Sequence, residues 1–293
     1  MAVCGFNCGS CPFAYLCVPL AVGAVFAWKR YARSPLQKKR FVSQLSFLFI
    51  TNAAFLVGST GLIYTYFYCW ESPVAAMACP IGILEHASIE LNWMLAVYLL
   101  GTIALVCMVF GRAACGWACP IGFLQDVLGM RRKIKSGKSQ RADQRMRLLK
   151  YAILLLIPPV CYVTGDMAYT NLCPVGGLTA TLPALALDPG GYTLGVYFVP
   201  KMLFLGGFFV LIVMLTRGWC RHLCPVGAMM APFNKASLLQ LTVDMEKCTH
   251  CGACKNVCPM DINLPEDHAS AECIRCGQCV SYCPAGALRL GFT

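Results

Sequence analysis

The chain has 293 residues, of which 58% are hydrophobic and only 13% are charged, a composition that favours a membrane protein over a soluble domain. Its 21 cysteines would suit a disulfide scaffold in a small secreted domain, but a chain this long and apolar fits metal ligation better. The excess of 24 Lys and Arg over 13 Asp and Glu collects beside apolar segments. Basic residues beside apolar segments are explained by membrane topology. The basic excess therefore does not indicate a nucleic-acid partner, and none is expected.

Five apolar segments have about the length that a helix needs to cross a bilayer, which is roughly 17 to 25 residues. They are predicted at residues 12–28, 41–63, 93–110, 148–165 and 198–216. The first is short and contains Pro12 and Pro19, so a re-entrant or surface segment is the alternative there. The other four predict a core of four transmembrane helices.

The distribution of basic residues predicts the orientation of these helices. Residues 29–40 carry six Lys or Arg and no acid, and residues 111–150 carry ten, so both connections should be cytoplasmic. Residues 64–92 and 166–193 carry acids but no Lys or Arg, which places them outside. We therefore expect a multi-pass protein of the cytoplasmic (inner) membrane, with its N-terminus outside and everything after Arg217 inside.

The chain also contains an internal repeat. Each half runs through an apolar helix, an outer loop with Cys-Pro, a second apolar helix and an inner Cys-x-x-x-Cys-Pro motif. The sequence ACPIG occurs at 78–82 and 118–122, and LCPVG at 172–176 and 223–227. The repeat predicts two homologous hairpins related by a pseudo-twofold axis.

The C-terminal part contains two complete C-x2-C-x2-C-x3-C-P runs, CTHCGACKNVCP at 248–259 and CIRCGQCVSYCP at 273–284. This is the pattern of two-cluster bacterial ferredoxins, in which the fourth cysteine of each run ligates the other cluster. Zinc sites do not need this pattern. The predicted ligand sets are Cys248, Cys251, Cys254 and Cys283 for one [4Fe-4S] cluster, and Cys273, Cys276, Cys279 and Cys258 for the other.

The inner motifs CGWACP and CRHLCP supply one cysteine pair from each half. Because a pseudo-twofold axis would bring the pairs together, four thiolates would converge at the cytoplasmic ends of the helices, which is the ligand count of one [4Fe-4S] cluster. The predicted ligands of this third cluster are Cys115, Cys119, Cys220 and Cys224.

Two further cysteine groups are candidate cluster sites. The outer loops predict a site at the opposite face, with ordinary buried cysteines or a redox disulfide as the alternatives. The N-terminal run CGFNCGSCPFAYLC predicts another site, with zinc binding or lipidation as alternatives. The ligands would be Cys69, Cys79, Cys161 and Cys173 outside, and Cys4, Cys8, Cys11 and Cys17 at the N-terminus. The remaining Cys107 is expected to pack in the core.

Histidine placement argues against a transmembrane haem, because no histidine lies in a predicted span. His86, with Glu85 and Glu90, is a candidate for handling quinol protons, since imidazole and carboxylate groups can titrate near neutral pH. A solvated outer loop is the alternative. His222, between Cys220 and Cys224, is expected to tune a cluster rather than to ligate it.

The chain resembles the NapH family of polyferredoxin membrane subunits in its four predicted core helices, its motifs CGWACP and CRHLCP and its paired ferredoxin runs. Members of that family are thought to oxidise quinol for periplasmic nitrate reductase. The membrane modules of NosR and CcoG are similar. The resemblance covers about residues 41–293 and implies a cytoplasmic position for the Cys-x-x-x-Cys-Pro cysteines. The cysteine-rich N-terminus and the paired outer cysteines depart from the family pattern.

The predicted fold is an all-α membrane bundle, with a four-helix pseudo-twofold core and an extra N-terminal helix, followed by an α+β two-cluster ferredoxin domain. The domain limits are 1–40, 41–235 and 236–293. The predicted function is that of an electron-transfer subunit of a respiratory or redox complex. It would connect the ferredoxin head with a menaquinone or ubiquinone pool, or with an external donor or acceptor protein. The alternatives are a quinol dehydrogenase without a transmembrane wire, and an assembly factor of the CcoG type that reduces metal or thiols.

Overall fold

The computed structural model describes residues 34–51, 79–129, 143, 145–182, 185 and 195–292. The predicted first span at 12–28, the N-terminal cysteine site (Cys4, Cys8, Cys11 and Cys17) and Cys69 lie outside these residues. The helices, in chain order, are α1 Pro35–Thr51, α2 Pro80–Ile89, α3 Trp93–Phe110, α4 Ala113–Trp117, α5 Pro120–Leu128, α6 Leu149–Thr164, α7 Ala168–Leu172, α8 Pro174–Gly176, α9 Phe198–Met214, α10 Gly218–His222, α11 Pro225–Met230, α12 Ala253–Val257 and α13 Gln278–Tyr282. Helix α8 continues as a π-helix over Gly177–Thr181, Pro232–Lys235 is a 3-10 turn, and the strands are β1 Leu239–Val243 and β2 Leu288–Phe292.

Three of the predicted spans correspond to helices with nearly the same limits. Helix α3 coincides with 93–110, while α6 and α9 end within two residues of the predicted limits. Among the described residues, α3 is the one helix that is both long and apolar enough to cross a bilayer, with a mean hydropathy of 2.3; α6 and α9 are shorter apolar helices. Helix α1 begins at Pro35 rather than at residue 41, so it crosses the predicted domain limit at residue 40.

The same local unit, a cysteine followed by a helix that begins with proline, occurs four times in the core. It starts α2, α5, α8 and α11. A proline confines the preceding residue to extended backbone, and its own φ suits the first helical position. The four cysteines accordingly have φ between -64 and -75° and ψ between 109 and 127°.

Helix α2 packs within the core. It has 10 residues, a short turn connects it to α3, and it packs against both α3 and α6. At 1.5 Å per residue, α2 carries its N-terminus about 15 Å back from that turn. Cys79, which caps α2, therefore lies deep in the core rather than at the outer end of α3.

The C-terminal domain has the α+β organisation that the sequence predicts. Strands β1 and β2 are antiparallel, with Leu241 opposite Leu290 and Val243 opposite Leu288. Gly252 and Gly277 precede α12 and α13 with φ of +69°, in the left-handed region that glycine adopts most easily. We call this domain, residues 236–292, the head, and the described part of residues 41–235 the core.

Buried ionic contacts attach the head to the core at the end that carries the Cys-x-x-x-Cys-Pro motifs. Glu272 of the head accepts hydrogen bonds from Arg112 Nη1 at 2.9 Å and from the Tyr151 hydroxyl at 3.0 Å, and it also pairs with Lys150. The side chains of Arg112 and Lys150 are completely buried. Buried charges of this kind must be paired, so these contacts specify one position of the head.

Helix α1 contacts both parts. Arg40 donates to the Gly116 carbonyl at 2.8 Å and pairs with Asp126 in the core. Gln37 Nε2 donates to the Cys276 carbonyl of the head at 3.1 Å. The first turns of α1 therefore lie against protein on both sides, which explains why this helix starts before the apolar segment does.

Candidate metal centres

Two cavities in the head correspond to the two ferredoxin sites. Each has a volume of about 20 Å³. The distal cavity is lined by Cys248, Cys251, Cys254 and Cys283, and the proximal cavity by Cys258, Cys273, Cys276 and Cys279. Cys251 is exposed, whereas Cys276 and Cys279 are buried. The distal cavity therefore faces solvent and the proximal cavity faces the core, and each contains one of the two cysteine sets that the crossover pattern predicts.

A third cavity of about 70 Å³ lies in the core and is lined mainly by apolar groups. Its cysteines are Cys79, Cys115, Cys119, Cys173, Cys220 and Cys224. The four cysteines of the Cys-x-x-x-Cys-Pro motifs are thus brought together, as the internal repeat predicts. Two further cysteines come from the outer loops, and with them each half contributes three.

The outer cysteines are placed differently from the prediction. Cys79 and Cys173 line the core cavity, because the Cys-Pro turns before α2 and α8 return into the core. Cys161 does not line it and instead donates to Glu85 Oε1 at 3.4 Å. Among the described residues, the predicted set of Cys79, Cys161 and Cys173 is therefore divided between two environments.

The helix that follows the Cys119-Pro120 turn directs a backbone N–H group at the cysteine sulfur. The Gly122 N–H donates to Cys119 Sγ at 3.2 Å, and a glycine stands at the same position after Cys79, Cys173 and Cys224. A Cβ at Gly122 would lie 2.8 Å from the Cys115 carbonyl oxygen, so this close approach requires glycine. Such N–H groups favour a thiolate over a thiol.

Two buried arginines cross between the repeats beside the core cavity. A Cβ at Gly227, in the second half, would lie 2.8 Å from the guanidinium of Arg112, which comes from the first half. Arg217, from the second half, donates to the Cys115 carbonyl at 2.8 Å and to Asp126 Oδ1 at 2.8 Å. Both positive charges lie close to where thiolates would concentrate negative charge.

Sequence reasoning did not identify these arginines as site residues. A signal was present, because an Arg-x-x-Cys spacing opens the inner motif of both halves, at Arg112 and Cys115 and at Arg217 and Cys220. A polar side chain was missed as well. Gln125 Nε2 donates to Cys220 Sγ at 3.1 Å, although Gln125 lies far from Cys220 in the chain.

The cysteine geometry fits a cluster better than a single ion. A zinc ion needs four ligands about 2.0 to 2.3 Å from one point. In the part of the chain that the structure describes, no three His, Cys, Asp or Glu side chains converge in that way. Burial raises the pKa of the Cys119 and Cys224 thiols, so several thiolates can share this apolar cavity only when a cationic group binds them.

The proximal cavity and the core cavity are in close contact through backbone. A Cβ at Gly116 would lie 2.4 Å from the Ile274 carbonyl oxygen and 3.5 Å from Cys276 Cα. Gly116 follows Cys115, which lines the core cavity, and Ile274 and Cys276 line the proximal cavity. The Trp117 indole N–H also donates to the Arg275 carbonyl at 2.9 Å. The absence of a side chain at Gly116 allows this approach.

The three predicted proton-handling residues separate into two groups. Glu85 is completely buried and accepts hydrogen bonds from the Tyr169 N–H at 2.8 Å and from the Thr170 hydroxyl. His86 and Glu90 are exposed, with His86 Nε2 3.5 Å from Glu90 Oε1. His86 and Glu90 therefore lie in a solvent-accessible position at the end of α2 rather than in a loop, whereas Glu85 connects α2 to α7.

His222 does not line the core cavity, and its Nε2 lies 3.1 Å from Asp143 Oδ1. Burial would raise the pKa of Asp143, but His222, Arg221 and Arg147 together hold it well below its usual range. The contacts of Asp143 with His222, Arg221 and Arg147 are therefore structural.

Two families of iron-sulfur domains match the chain. A 4Fe-4S binding domain family matches residues 91–138 and 199–241, which contain the two inner motifs with the helices before them. A 4Fe-4S dicluster domain family matches residues 240–284, within the head. The first match repeats in both halves of the core, in agreement with the internal repeat.

Several curated proteins are similar to the chain. An uncharacterized protein of Methanocaldococcus jannaschii is 28% identical over 195 residues, which is 64% of this chain and 75% of the relative. The methylamine utilization ferredoxin-type protein MauN of Methylorubrum extorquens is 34% identical over 55% of this chain, and the ferredoxin-type protein NapH of Haemophilus influenzae is 33% identical over 50%. The matches span 53% of that MauN and 47% of that NapH, about half of their lengths.

No solved structure matches the chain. The named relatives and both domain families bear on the resemblance that the motifs predicted, and they confirm it. The chain contains 4Fe-4S binding domains and resembles the ferredoxin-type proteins NapH and MauN.

Proposed function

We propose that the chain is a membrane protein that passes single electrons between its head and a quinone that reaches the core cavity. The observation that carries this proposal is the series of three cysteine-lined cavities, which starts at the exposed Cys251 and ends inside the core. When bound, iron-sulfur clusters supply one-electron transfer, while the protein determines their positions and potentials.

The predicted cysteines would hold these clusters in the order in which the cavities occur. The distal set, with Cys251 at the surface, is where a soluble redox partner reaches the head. The proximal set lies between the distal set and the core. The junction at Gly116 then brings the backbone of Ile274 against the element that carries Cys115, so electrons would cross from head to core through packed protein.

The long apolar helices support membrane insertion. They leave large apolar side chains exposed, for example Leu105 on α3 at 71%, Leu155 on α6 at 79% and Leu203 on α9 at 72%. Exposed apolar surface of this kind marks contact with a membrane or with other proteins. The basic connections would place the head in the cytoplasm and the N-terminus outside, as in a multi-pass inner-membrane protein.

The position of Cys79 and Cys173 favours a mobile carrier as the second electron partner. Direct transfer to an external protein was predicted from a cluster at the opposite face, with these two cysteines among its ligands. Since both line the core cavity, the described route ends within the core. A lipid-soluble carrier, menaquinone or ubiquinone, could exchange electrons there.

The test is electron exchange with quinone confined to a lipid bilayer. The full chain would be reconstituted into liposomes that contain long-chain menaquinone, its head clusters would be reduced chemically, and their reoxidation would be followed by absorbance and EPR. We expect rapid reoxidation in the native chain and in Cys107→Ala, a buried cysteine outside the cavity. The double variant Cys119→Ala/Cys224→Ala should retain reduced head clusters, and equal rates in all three proteins would reject the proposal.

A further inference from the structure

The core cavity contains more cysteines than one cubane cluster needs. A [4Fe-4S] cluster takes four thiolates, as each cysteine set in the head would provide. The core cavity presents six buried or half-buried cysteines. Its volume of about 70 Å³ also exceeds the volume of about 20 Å³ at each head site.

The six cysteines are equivalent in pairs. Cys79 corresponds to Cys173 and Cys119 to Cys224, since each has extended backbone and precedes a proline that begins a helix. Cys115 and Cys220 complete the set, one from each half. The outer pair therefore occupies the same position at a helix N-terminus as the inner Cys-Pro pair.

The outer pair is also continuous with the inner set. Tyr169 lines one cavity together with Cys79, Cys173 and Cys224. Arg112 lines the same cavity. Beyond the cysteines, the lining is mainly apolar, so additional thiolates would be stabilised mostly by metal.

We propose that Cys79 and Cys173 bind the same cluster as Cys115, Cys119, Cys220 and Cys224, and that this six-thiolate cluster contains more than four irons. The inference rests on the proposed function in one respect, namely that the core cavity holds an iron-sulfur cluster. It goes beyond that function by assigning two more ligands and a larger cluster. The pseudo-twofold axis would then divide the ligands equally, three from each half.

The experiment is iron and acid-labile sulfide determination on the full chain, purified anaerobically, with Mössbauer spectra of the same samples. Three double or combined variants are compared with the native chain: Cys79→Ala/Cys173→Ala, Cys119→Ala/Cys224→Ala, and all four substitutions together. Since only losses of iron are compared, any iron held outside the described residues cancels. EPR signals of the head clusters show whether each variant has folded.

A shared cluster makes the losses non-additive, because all ligands serve one group of irons. We expect each double variant to lose the same irons, more than the four that one cubane contains. The combined variant should lose no more than either pair alone. Cys107→Ala and Cys161→Ala should retain full iron, because neither residue lines the cavity.

Two results would overturn the inference and leave the core cluster in place. Unchanged iron in Cys79→Ala/Cys173→Ala would mean that the outer pair is a free dithiol or a disulfide beside a cubane. Separate losses of four irons that add in the combined variant, with a further loss in Cys161→Ala, would mean a second and independent cluster. Unchanged iron in Cys119→Ala/Cys224→Ala would instead remove the core cluster itself, and with it the proposed function.

Discussion

The head and the core both surround cavities with cysteines, but they collect those cysteines in different ways. Each head cavity takes three cysteines from one short run and a fourth from the other run. The core cavity takes single cysteines or pairs from four Cys-Pro turns that are spread between Cys79 and Cys224. Local sequence thus builds the head sites, whereas the core site depends on how the two repeats pack together.

Within the described residues, the head and the core are joined by an ionic group and by closely packed backbone, and not by a shared cysteine cavity. This contact depends on Glu272, between Arg112 and Lys150, and on the closely packed backbone at Gly116. If the head and the core are one electron path, changes at this contact should separate them without destroying the cysteine sites of either. The predictions below test that separation, in order of decreasing expected effect.

The largest effect is expected from Glu272→Ala. This change leaves Arg112 and Lys150 buried without their shared carboxylate, and breaking a buried pair costs about 3 to 5 kcal/mol. The midpoint of denaturant unfolding, measured in detergent from cluster absorbance, should fall accordingly. Asp244→Ala removes an exposed pair with Lys247 on the head and should leave the midpoint nearly unchanged. Equal midpoints in the two variants would show that the buried pairs do not hold the head.

The next effect is expected from Gly116→Ala. The new Cβ would lie 2.4 Å from the Ile274 carbonyl oxygen, so the head must move away from the core, at a cost of about 1 to 3 kcal/mol for overpacking. Electron exchange between the head and the quinone should slow while the head EPR signals persist. Gly101→Ala on α3 is the matched control, since nothing lies within 4 Å of its Cβ position. Unaltered exchange in Gly116→Ala would exclude this junction as the route.

Iron removal should distinguish the three sites by their exposure. In a strong chelator under mild oxidation, the distal site with exposed Cys251 should lose iron roughly tenfold faster than the proximal site, where Cys276 and Cys279 are buried. The core site should be the slowest. EPR spectra taken over time would resolve the order, and fully denatured protein, which loses all iron together, is the control. A core site that empties first would contradict its burial.

The smallest effect is expected from Gln125→Leu. The amide donates to Cys220 Sγ, and a hydrogen bond to a thiolate favours the more negative, reduced state of a bound cluster. Losing about 0.5 to 1.5 kcal/mol of that interaction should lower the midpoint potential of the core cluster by about 20 to 60 mV. Gln44→Leu is the control, because Gln44 is equally buried but donates to the Gly116 carbonyl. An equal shift in both variants would indicate a general change of the core.

The three apolar helices α3, α6 and α9 followed from hydropathy, whereas the short helices after the Cys-Pro turns were not predicted. Helix α3 has the predicted limits, because an uninterrupted apolar segment between Asn92 and Gly111 leaves little choice. The start of α1 was predicted too late. Its first residues, including Gln37 and Arg40, are polar, and only contacts with the head and with Asp126 explain why they are helical and buried.

The sequence by itself determined the two cysteine sets of the head, because the spacing within each run gathers three cysteines and the two-run pattern supplies the fourth from the other run. It also determined that the pairs Cys115/Cys119 and Cys220/Cys224 would meet, since a repeat implies an axis. Only the tertiary structure decided that Cys79 and Cys173 join them. The position of Cys79 depends on the packing of α2 against α3 and α6, and that of Cys173 on the packing of α8 against α9, which no local pattern encodes.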